Sequence, residues 1–156
     1  MKATNKITAQ EVTVALDELR QVIGGDIHLD EGGSCLLAYN DSLPLAIQYI
    51  EDDGRLVLAA ELKSGLEDAS DSEWMQLLCI DYLGIRARGC ALSPDKSAGC
   101  VTIWRDVNAS PLGGQVLAEE LESFIDEVLA VREFIGNPEF ELPGEQAALP
   151  MIGSRA

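Results

Sequence analysis

Hydrophobic and polar residues alternate along residues 43–62 in the pattern of two adjoining β-strands. Asp52, Asp53 and Gly54 mark the turn between them, because glycine readily takes the positive φ of a tight hairpin. One face is apolar throughout and consists of Leu43, Leu45, Ile47, Tyr49, Leu56, Leu58, Ala60 and Leu62. The other face of an antiparallel sheet usually shows polar residues to water. Here it carries Ala46, Ile50, Val57 and Ala59, which predicts a covering surface from the same chain or from a partner.

Two capping boxes mark the starts of helices. Thr8 and Glu11 have the T-x-x-E spacing that satisfies the free backbone N–H groups of a first turn, and they predict a helix over about residues 9–23. Ser70 and Glu73 repeat the device ahead of a shorter helix in the middle of the chain. Both helices end at glycines, as helices commonly do.

The mid-chain helix is apolar or amphipathic around nearly its whole circumference. The residues concerned are Trp74, Met75, Leu77, Leu78, Cys79, Ile80, Tyr82 and Leu83. A helix of this kind is covered on more than one side. Two arrangements fit: the helix lies at the centre of its own chain, or a second subunit covers its free side.

The remaining pattern completes an α+β fold. Residues 34–39, 85–93 and 99–106 read as further strands, and residues 115–135 as a long amphipathic helix. We predict one domain over residues 1–136, in the order α-βββ-α-ββ-α, with a twisted antiparallel sheet packed by helices. Residues 137–156 contain three prolines and no periodic pattern, which predicts a flexible tail or a docking arm.

The net charge of the chain limits the classes of partner that it can bind. The chain has 27 acidic and 11 basic residues among 156, a formal net charge of -16, so a nucleic acid or an anionic membrane surface would repel it. We expect no nucleic-acid binding and no membrane insertion. Neither a secretory signal nor a run long enough to span a bilayer is evident, and a location in the cytoplasm is expected.

The sequence shows no pattern that indicates catalysis. His28 is the one histidine, and no motif for a nucleophile, a zinc site or a phosphate-binding loop is present. Four cysteines form no C-x-x-C pair, so we expect neither a metal nor a cofactor and interpret them as buried apolar residues. Cys90 and Cys100 are expected to face each other across the second hairpin. The chain is therefore predicted not to be an enzyme.

Four segments together resemble the class I type III secretion chaperones, the family typified by the Tir chaperone. They are the hairpin LPLAIQYIEDDGRLVLAAEL, the helix WMQLLCIDYLG with the strand RGCALS, the strand GCVTIWRD, and the closing helix LAEELESFIDEVLAVREFI. The resemblance spans about residues 7–135. It rests on the spacing of apolar residues and on the order of the elements.

The resemblance implies a homodimer in the bacterial cytoplasm that binds the N-terminal, non-globular segment of a secreted effector. Such a chaperone keeps the effector soluble and competent for secretion in virulence, and the ATPase of the secretion apparatus is a further candidate partner. The positions matched to effector binding are Leu36, Ala38, Ala46, Ile50, Val57 and Ala59. The positions matched to the dimer interface are Trp74, Leu77, Leu78, Tyr82 and Cys90.

Two other functions fit the same pattern. One is an adaptor or regulatory domain that binds a folded protein partner and has no role in secretion. The other is a small-molecule binding protein or enzyme that uses the sheet face as the wall of a pocket. The secretion chaperone is preferred because it explains both the apolar second face of the sheet and the helix that is apolar all round.

Overall fold

The computed structural model describes residues 6–82, 89–109 and 111–136. Three helices and five strands occur in these ranges, in the predicted order. They are α1 (Ala9–Ile23), β1 (Ser34–Tyr39), β2 (Leu43–Ile50), β3 (Arg55–Lys63), α2 (Asp71–Tyr82), β4 (Cys90–Asp95), β5 (Cys100–Asp106) and α3 (Gly114–Gly136). The predicted fold class is confirmed.

Both predicted capping boxes are formed. The Glu11 N–H donates to the Thr8 hydroxyl at 3.2 Å, and the Glu11 carboxylate accepts from the Thr8 N–H at 2.8 Å. Ser70 and Glu73 make the same pair of bonds, at 3.2 and 2.7 Å. The backbone bond to the carboxylate is the main reason that the pKa of Glu11, and likewise of Glu73, is lowered. The first turns of α1 and α2 are therefore specified locally.

The five strands form one antiparallel sheet in the order β1-β2-β3-β5-β4. Asn40 and Asp41 turn β1 into β2 with φ of 50° and 54°, the left-handed conformation that asparagine and aspartate tolerate best after glycine. Gly54, with φ of 60°, turns β2 into β3. Short turns of this kind place β1, β2 and β3 side by side, and β1 and β4 form the two edges of the sheet.

One face of the sheet builds the core. Its buried residues belong to the same cluster as the buried residues of all three helices, among them Leu16, Trp74 and Phe124. We call this face the inner face. The helices α1 and α3 also meet directly, where the Glu18 carboxylate accepts a hydrogen bond from the Gly114 N–H at 2.5 Å. A carboxylate at this point satisfies a free N–H of the first turn of α3.

The second hairpin differs from the prediction in its register. The predicted strands at residues 85–93 and 99–106 leave residues 94–98 for the turn, but Pro94 lies within β4 and pairs with Val101. Cys90 pairs with Arg105, whereas Cys100 pairs with Asp95, so the two cysteines lie at opposite ends of the hairpin. The expectation that they face each other is wrong, because the strand pairing continues to Asp95 and the turn is shorter than predicted. The start of the predicted strand at residues 85–88 and the tail at 137–156 lie outside the described residues.

Candidate functional site: the outer face of the sheet

The face of the sheet opposite the core, which we call the outer face, carries a row of apolar residues across all five strands. Cross-strand pairing places Leu36 opposite Ala46, Ala46 opposite Ala59, and Ala59 opposite Trp104. Trp104 in turn pairs with Ala91 on the edge strand β4. Strands lie about 4.8 Å apart, so the row is about 19 Å long. We call these five residues the apolar row.

The shape of the apolar row follows from the sizes of its side chains. Two adjacent alanines, Ala46 and Ala59, lie between the large residues Leu36 and Trp104, and their small side chains leave a lower surface there. The Trp104 indole is oriented by a hydrogen bond from Nε1 to the Ser93 hydroxyl at 2.9 Å. The row therefore offers shallow depressions beside a fixed aromatic ring, into which side chains of a partner can fit.

All six residues predicted to bind an effector lie on this outer face, as the register of the strands shows. Their exposure differs. Leu36 is 79% exposed and Ala38 is exposed, while Ala46, Ile50 and Ala59 are partly buried and Val57 is 9% exposed. No outer-face residue belongs to the main hydrophobic cluster of the described residues. The structure thus brings the six residues together on the side of the sheet that faces away from the core.

A polar boundary closes one side of the apolar row. The Arg55 guanidinium donates to both oxygens of the Asp106 carboxylate at 2.8 and 2.9 Å, across neighbouring strands. Val57 lies beside this pair, directly opposite Asp106. The Gln48 amide donates to the Gly32 carbonyl, which fixes the β2 end of the same boundary. Since two-point pairing of this kind is geometrically specific, the boundary holds the edge of the site in place.

Trp104 is the site residue that the sequence analysis missed. The alternation within GCVTIWRD places Trp104 on the face opposite Val101, Ile103 and Arg105, so the period of two was visible. The sequence did not show the register of β5 against β3, which places Trp104 beside Ala59. An apolar aromatic among the polar positions of a strand was the one available signal.

The residues matched to a dimer interface are distributed differently. Trp74, Leu77 and Cys90 are 4%, 5% and 2% exposed within the single chain and belong to its core. Leu78 is partly buried, and the side chain of Tyr82 lies outside the described residues. Met75, which was not among the predicted residues, is 59% exposed. Among the apolar side chains described in α2, Met75, Leu78 and Cys79 therefore remain at least partly accessible.

The described residues were compared with the requirements of a metal site and of a reactive thiol. No three His, Cys, Asp or Glu side chains among them are placed to hold a metal ion. Burial raises the pKa of the Cys35 thiol, and desolvation together with acidic neighbours raises that of Cys100. Both thiols are therefore protonated at neutral pH and are poor nucleophiles. In the described part of the chain, no helix combines the length and hydropathy that crossing a membrane requires.

Solved structures of similar fold include complexes of a chaperone with its partner. The HopA1–SchA chaperone–effector complex aligns with a TM-score of 0.64 at 18% identity, covering 79% of this chain and 94% of the matched one. The ExsC–ExsE complex aligns with a TM-score of 0.67 at 19% identity, and the alignment covers 81% of this chain and 95% of the matched one. A third structure is the Yersinia pestis type III secretion chaperone SycH in complex with a fragment of YscM2. It aligns with a TM-score of 0.54 at 17% identity, and the alignment covers 76% of this chain and 98% of the matched one. At these identities the likeness concerns the fold. A comparison with curated protein sequences finds no match.

The described residues form an α+β domain with a helix-covered inner face and an apolar outer face. The model of the Tir chaperone protein (CesT) family matches residues 15–132, and the chain belongs to that family. The predicted resemblance is thereby confirmed, and so is the predicted function at the level of the family, a type III secretion chaperone that binds an effector. The family is one of chaperones rather than enzymes.

Proposed function

We propose that the outer face of the sheet holds the N-terminal, non-globular segment of a secreted effector and keeps it soluble until secretion. The observation that carries this proposal is the apolar row, which crosses the whole sheet on the side away from the core. A row of about 19 Å matches roughly six residues of an extended chain at about 3.3 Å per residue. Its alanines give room to the large apolar side chains of such a segment.

The energetics favour a segment that supplies several apolar anchors. Each large apolar side chain that is buried contributes about 1.5–3 kcal/mol. Ordering a disordered segment costs about 2–5 kcal/mol. Three such anchors over the depressions beside Leu36, Ala46 and Ala59 are enough to offset that cost. The formal charge of -16 keeps the unloaded chaperone in solution although the row is apolar.

Affinity measurements with one outer-face variant test this proposal. The ligand is the N-terminal segment of the protein encoded beside this chain, since dedicated chaperones are commonly encoded next to their effectors. Ala59→Asp places a charge in the middle of the apolar row, and we expect at least a ten-fold loss of affinity by calorimetry. Leu129→Asp is the matched control, because Leu129 is 41% exposed on α3 and lies away from the row. Equal affinity of the two variants would contradict the assignment of the outer face.

The fluorescence of Trp104 gives a second readout. Trp74 is 4% exposed in the core, so a Trp74→Phe variant leaves Trp104 as the only indole. We expect its emission to shift to shorter wavelength when the segment binds, because the ring loses contact with water. The same variant without the segment is the control. An unchanged spectrum under saturating segment would place the effector elsewhere on the molecule.

The alternative function, an adaptor for a folded partner, makes a different prediction. An adaptor binds the intact, folded protein and not its isolated N-terminal segment. Native mass spectrometry of the chain with each form distinguishes the two functions. Uptake of the isolated segment supports the chaperone, and uptake of the folded protein alone supports the adaptor.

We further propose that the chaperone is a homodimer whose interface includes the open side of α2. Met75 is 59% exposed and Leu78 is partly buried, so these side chains are available to a second subunit. Met75→Glu should therefore yield a monomer in light-scattering measurements, while the helix content is retained. Val22→Glu, which places the same charge at an exposed apolar position of α1, is the control. We also propose that the chaperone is located in the bacterial cytoplasm and needs no cofactor. It passes the effector to the ATPase of the secretion apparatus.

A further inference from the structure

The residues that flank the apolar row on its two sides differ in how their charges are used. On one side, the Arg55 guanidinium donates to the Asp106 carboxylate at 2.8 and 2.9 Å. On the other side, strand pairing places Glu61 opposite Thr102, and Thr102 opposite Ser93. Glu61 is exposed, and its carboxylate forms no ion pair with any of the residues that the structure describes. Glu61 therefore offers a negative charge to a partner beside the apolar row.

Lys63, which follows Glu61 on β3, lies on the other side of the sheet. The register shifts between the two residues, so that Lys63 pairs with Val101, whereas Glu61 pairs with Thr102. Val101 belongs to the core, and the shift therefore places Lys63 on the side of the inner face. In agreement with this position, the charge of Lys63 contributes to the lowered pKa of Glu73 at the start of α2. The negative charge of Glu61 thus remains on the outer face.

Trp104 is the diagonal neighbour of Glu61 on the outer face. Thr102 lies opposite Glu61 and two residues before Trp104 on β5. Diagonal neighbours in an antiparallel pair have Cβ atoms about 7 Å apart, a distance that aromatic and long side chains can span. Ala59, directly opposite Trp104, and Thr102 have small side chains. The indole and the carboxylate therefore stand on either side of a shallow site whose floor is formed by Ala59 and Thr102.

Trp104 is partly exposed, and a hydrogen bond fixes its ring toward β4. The single donor of its side chain, Nε1, is satisfied by the Ser93 hydroxyl at 2.9 Å. Ser93 belongs to β4 and Glu61 to β3, so the hydrogen bond and the carboxylate lie on opposite sides of β5. The face of an indole ring attracts a lysine or arginine within about 6 Å of the ring centre. A cation between the ring and Glu61 is therefore attracted from both sides.

We infer that Trp104 and Glu61 together bind the side chain of an arginine in the effector segment. The inference rests on the proposed function, because it adds one chemical requirement to the segment that lies on the apolar row. Arginine suits this site better than lysine, since its planar guanidinium can stack on an indole and pair with a carboxylate. The residues of the apolar row are uncharged, so the row without Glu61 cannot make this selection.

The width of the sheet adds a spacing to this requirement. Leu36 on β1 and Trp104 on β5 are three strand positions apart, which is about 14 Å at about 4.8 Å per strand. An extended segment covers this distance in about four residues, and an even number places the first and last side chains on the same side. The segment should therefore carry a large aliphatic residue, in contact with Leu36, and an arginine four residues away.

Three fluorescein-labelled peptides test the inference on the full-length chain. The first has a leucine with an arginine four residues away on each side. The second has citrulline, the uncharged analogue of arginine, in both places, and the third has the arginines three residues from the leucine. We expect the first to bind about ten-fold tighter than the second at low salt, because the ring and the carboxylate each contribute. This preference should shrink as salt screens the charges, and the third peptide should bind more weakly than the first. If either control peptide equals the first in affinity, or if none binds, the inference is overturned.

Two variants locate the preference for arginine over citrulline on the molecule. Glu61→Gln removes the charge, and Trp104→Leu removes the aromatic ring while it keeps an apolar side chain. Each should reduce the preference to about three-fold or less. Glu133→Gln, the control, makes the same change of charge at an exposed position of α3 and should leave the preference unchanged. A preference that falls equally in Glu61→Gln and Glu133→Gln reflects the overall charge of the chain and would contradict the inference.

The variant Ala59→Asp, measured with the effector segment, separates this inference from the proposed function. If it weakens binding of the segment and Glu61→Gln lowers the preference for arginine, both proposals hold. If it weakens binding of the segment, but neither Glu61→Gln nor Trp104→Leu changes the preference, the apolar row binds the segment and the inference alone fails. If Ala59→Asp leaves the segment bound with full affinity, the proposed function of the outer face fails, and the inference fails with it.

Discussion

The two faces of the sheet are built from neighbouring residues of the same strands and differ in what covers them. Leu58 and Ala59 are consecutive in β3, yet Leu58 is fully buried in the core and Ala59 lies in the apolar row. The inner face is covered by residues of α1, α2 and α3 that belong to the same cluster. The outer face has apolar residues without that cover. This difference teaches that a strand's apolar positions can serve stability on one side and binding on the other.

The largest expected effect is a difference between the two faces in their contribution to the free energy of unfolding. Leu58→Ala removes a fully buried side chain from the inner face, and it should lower the free energy of unfolding by about 2–5 kcal/mol. Leu36→Ala, on the outer face, should change it by no more than about 0.5 kcal/mol, because Leu36 is 79% exposed. Urea unfolding of both variants provides the measurement. A loss of equal size at the two positions would show that the outer face is also part of the folded core.

An intermediate effect concerns the one charged residue that β5 places on the inner face. Arg105 is 9% exposed, donates to the Glu120 carbonyl at 2.8 Å, and lies 5.6 Å from the centre of the Phe124 ring. Arg105→Ala should lower the free energy of unfolding by about 1–3 kcal/mol, through the lost hydrogen bond to a carbonyl and the lost packing on Phe124. Arg105→Met keeps much of the packing and should lose less. If Met is as costly as Ala in urea unfolding, the charge rather than the packing holds α3 on the sheet.

The smallest effect concerns the starts of two helices that cover the inner face. The pKa values of Glu11 and Glu73 are lowered in the fold from the ordinary value of 4.5 by hydrogen bonds from Thr8 and Ser70. The folded state therefore holds these protons less tightly than the unfolded chain. The two ionised carboxylates therefore contribute to stability above pH 4.5. This contribution is lost as the pH falls through their lowered pKa values.

Replacing both carboxylates tests this pH dependence. Glutamine can occupy the same position of a capping box, so Glu11→Gln with Glu73→Gln should change the melting temperature little at neutral pH. Below pH 4.5 the melting temperature of the double variant should fall less steeply than that of the parent chain. Glu31→Gln, at an exposed position outside both capping boxes, is the control. Identical acid profiles of the double variant and the parent chain would contradict the role of the two carboxylates.

The sequence by itself determined the features that depend on local chemistry. The capping boxes at Thr8 and Ser70 were predictable because a side chain three residues away satisfies each helix start. The assignment of Ala46, Val57 and Ala59 to one face was predictable because side chains alternate in every strand. The resemblance to secretion chaperones rests on the same repeated spacing, and the family match confirms it.

Only the tertiary structure decided the features that depend on how distant elements meet. The position of Trp104 beside Ala59, and the separation of Cys90 from Cys100, follow from the registers of β5 against β3 and β4. The apolar circumference of α2 predicted cover on several sides, but the packing of Trp74 and Leu77 into the core of the same chain was not readable from it. The pairing of β5 with β3 and the docking of the helices are set by contacts between residues far apart in the chain. In the β4–β5 hairpin the register is set by the length of the turn, which the alternation within each strand does not fix.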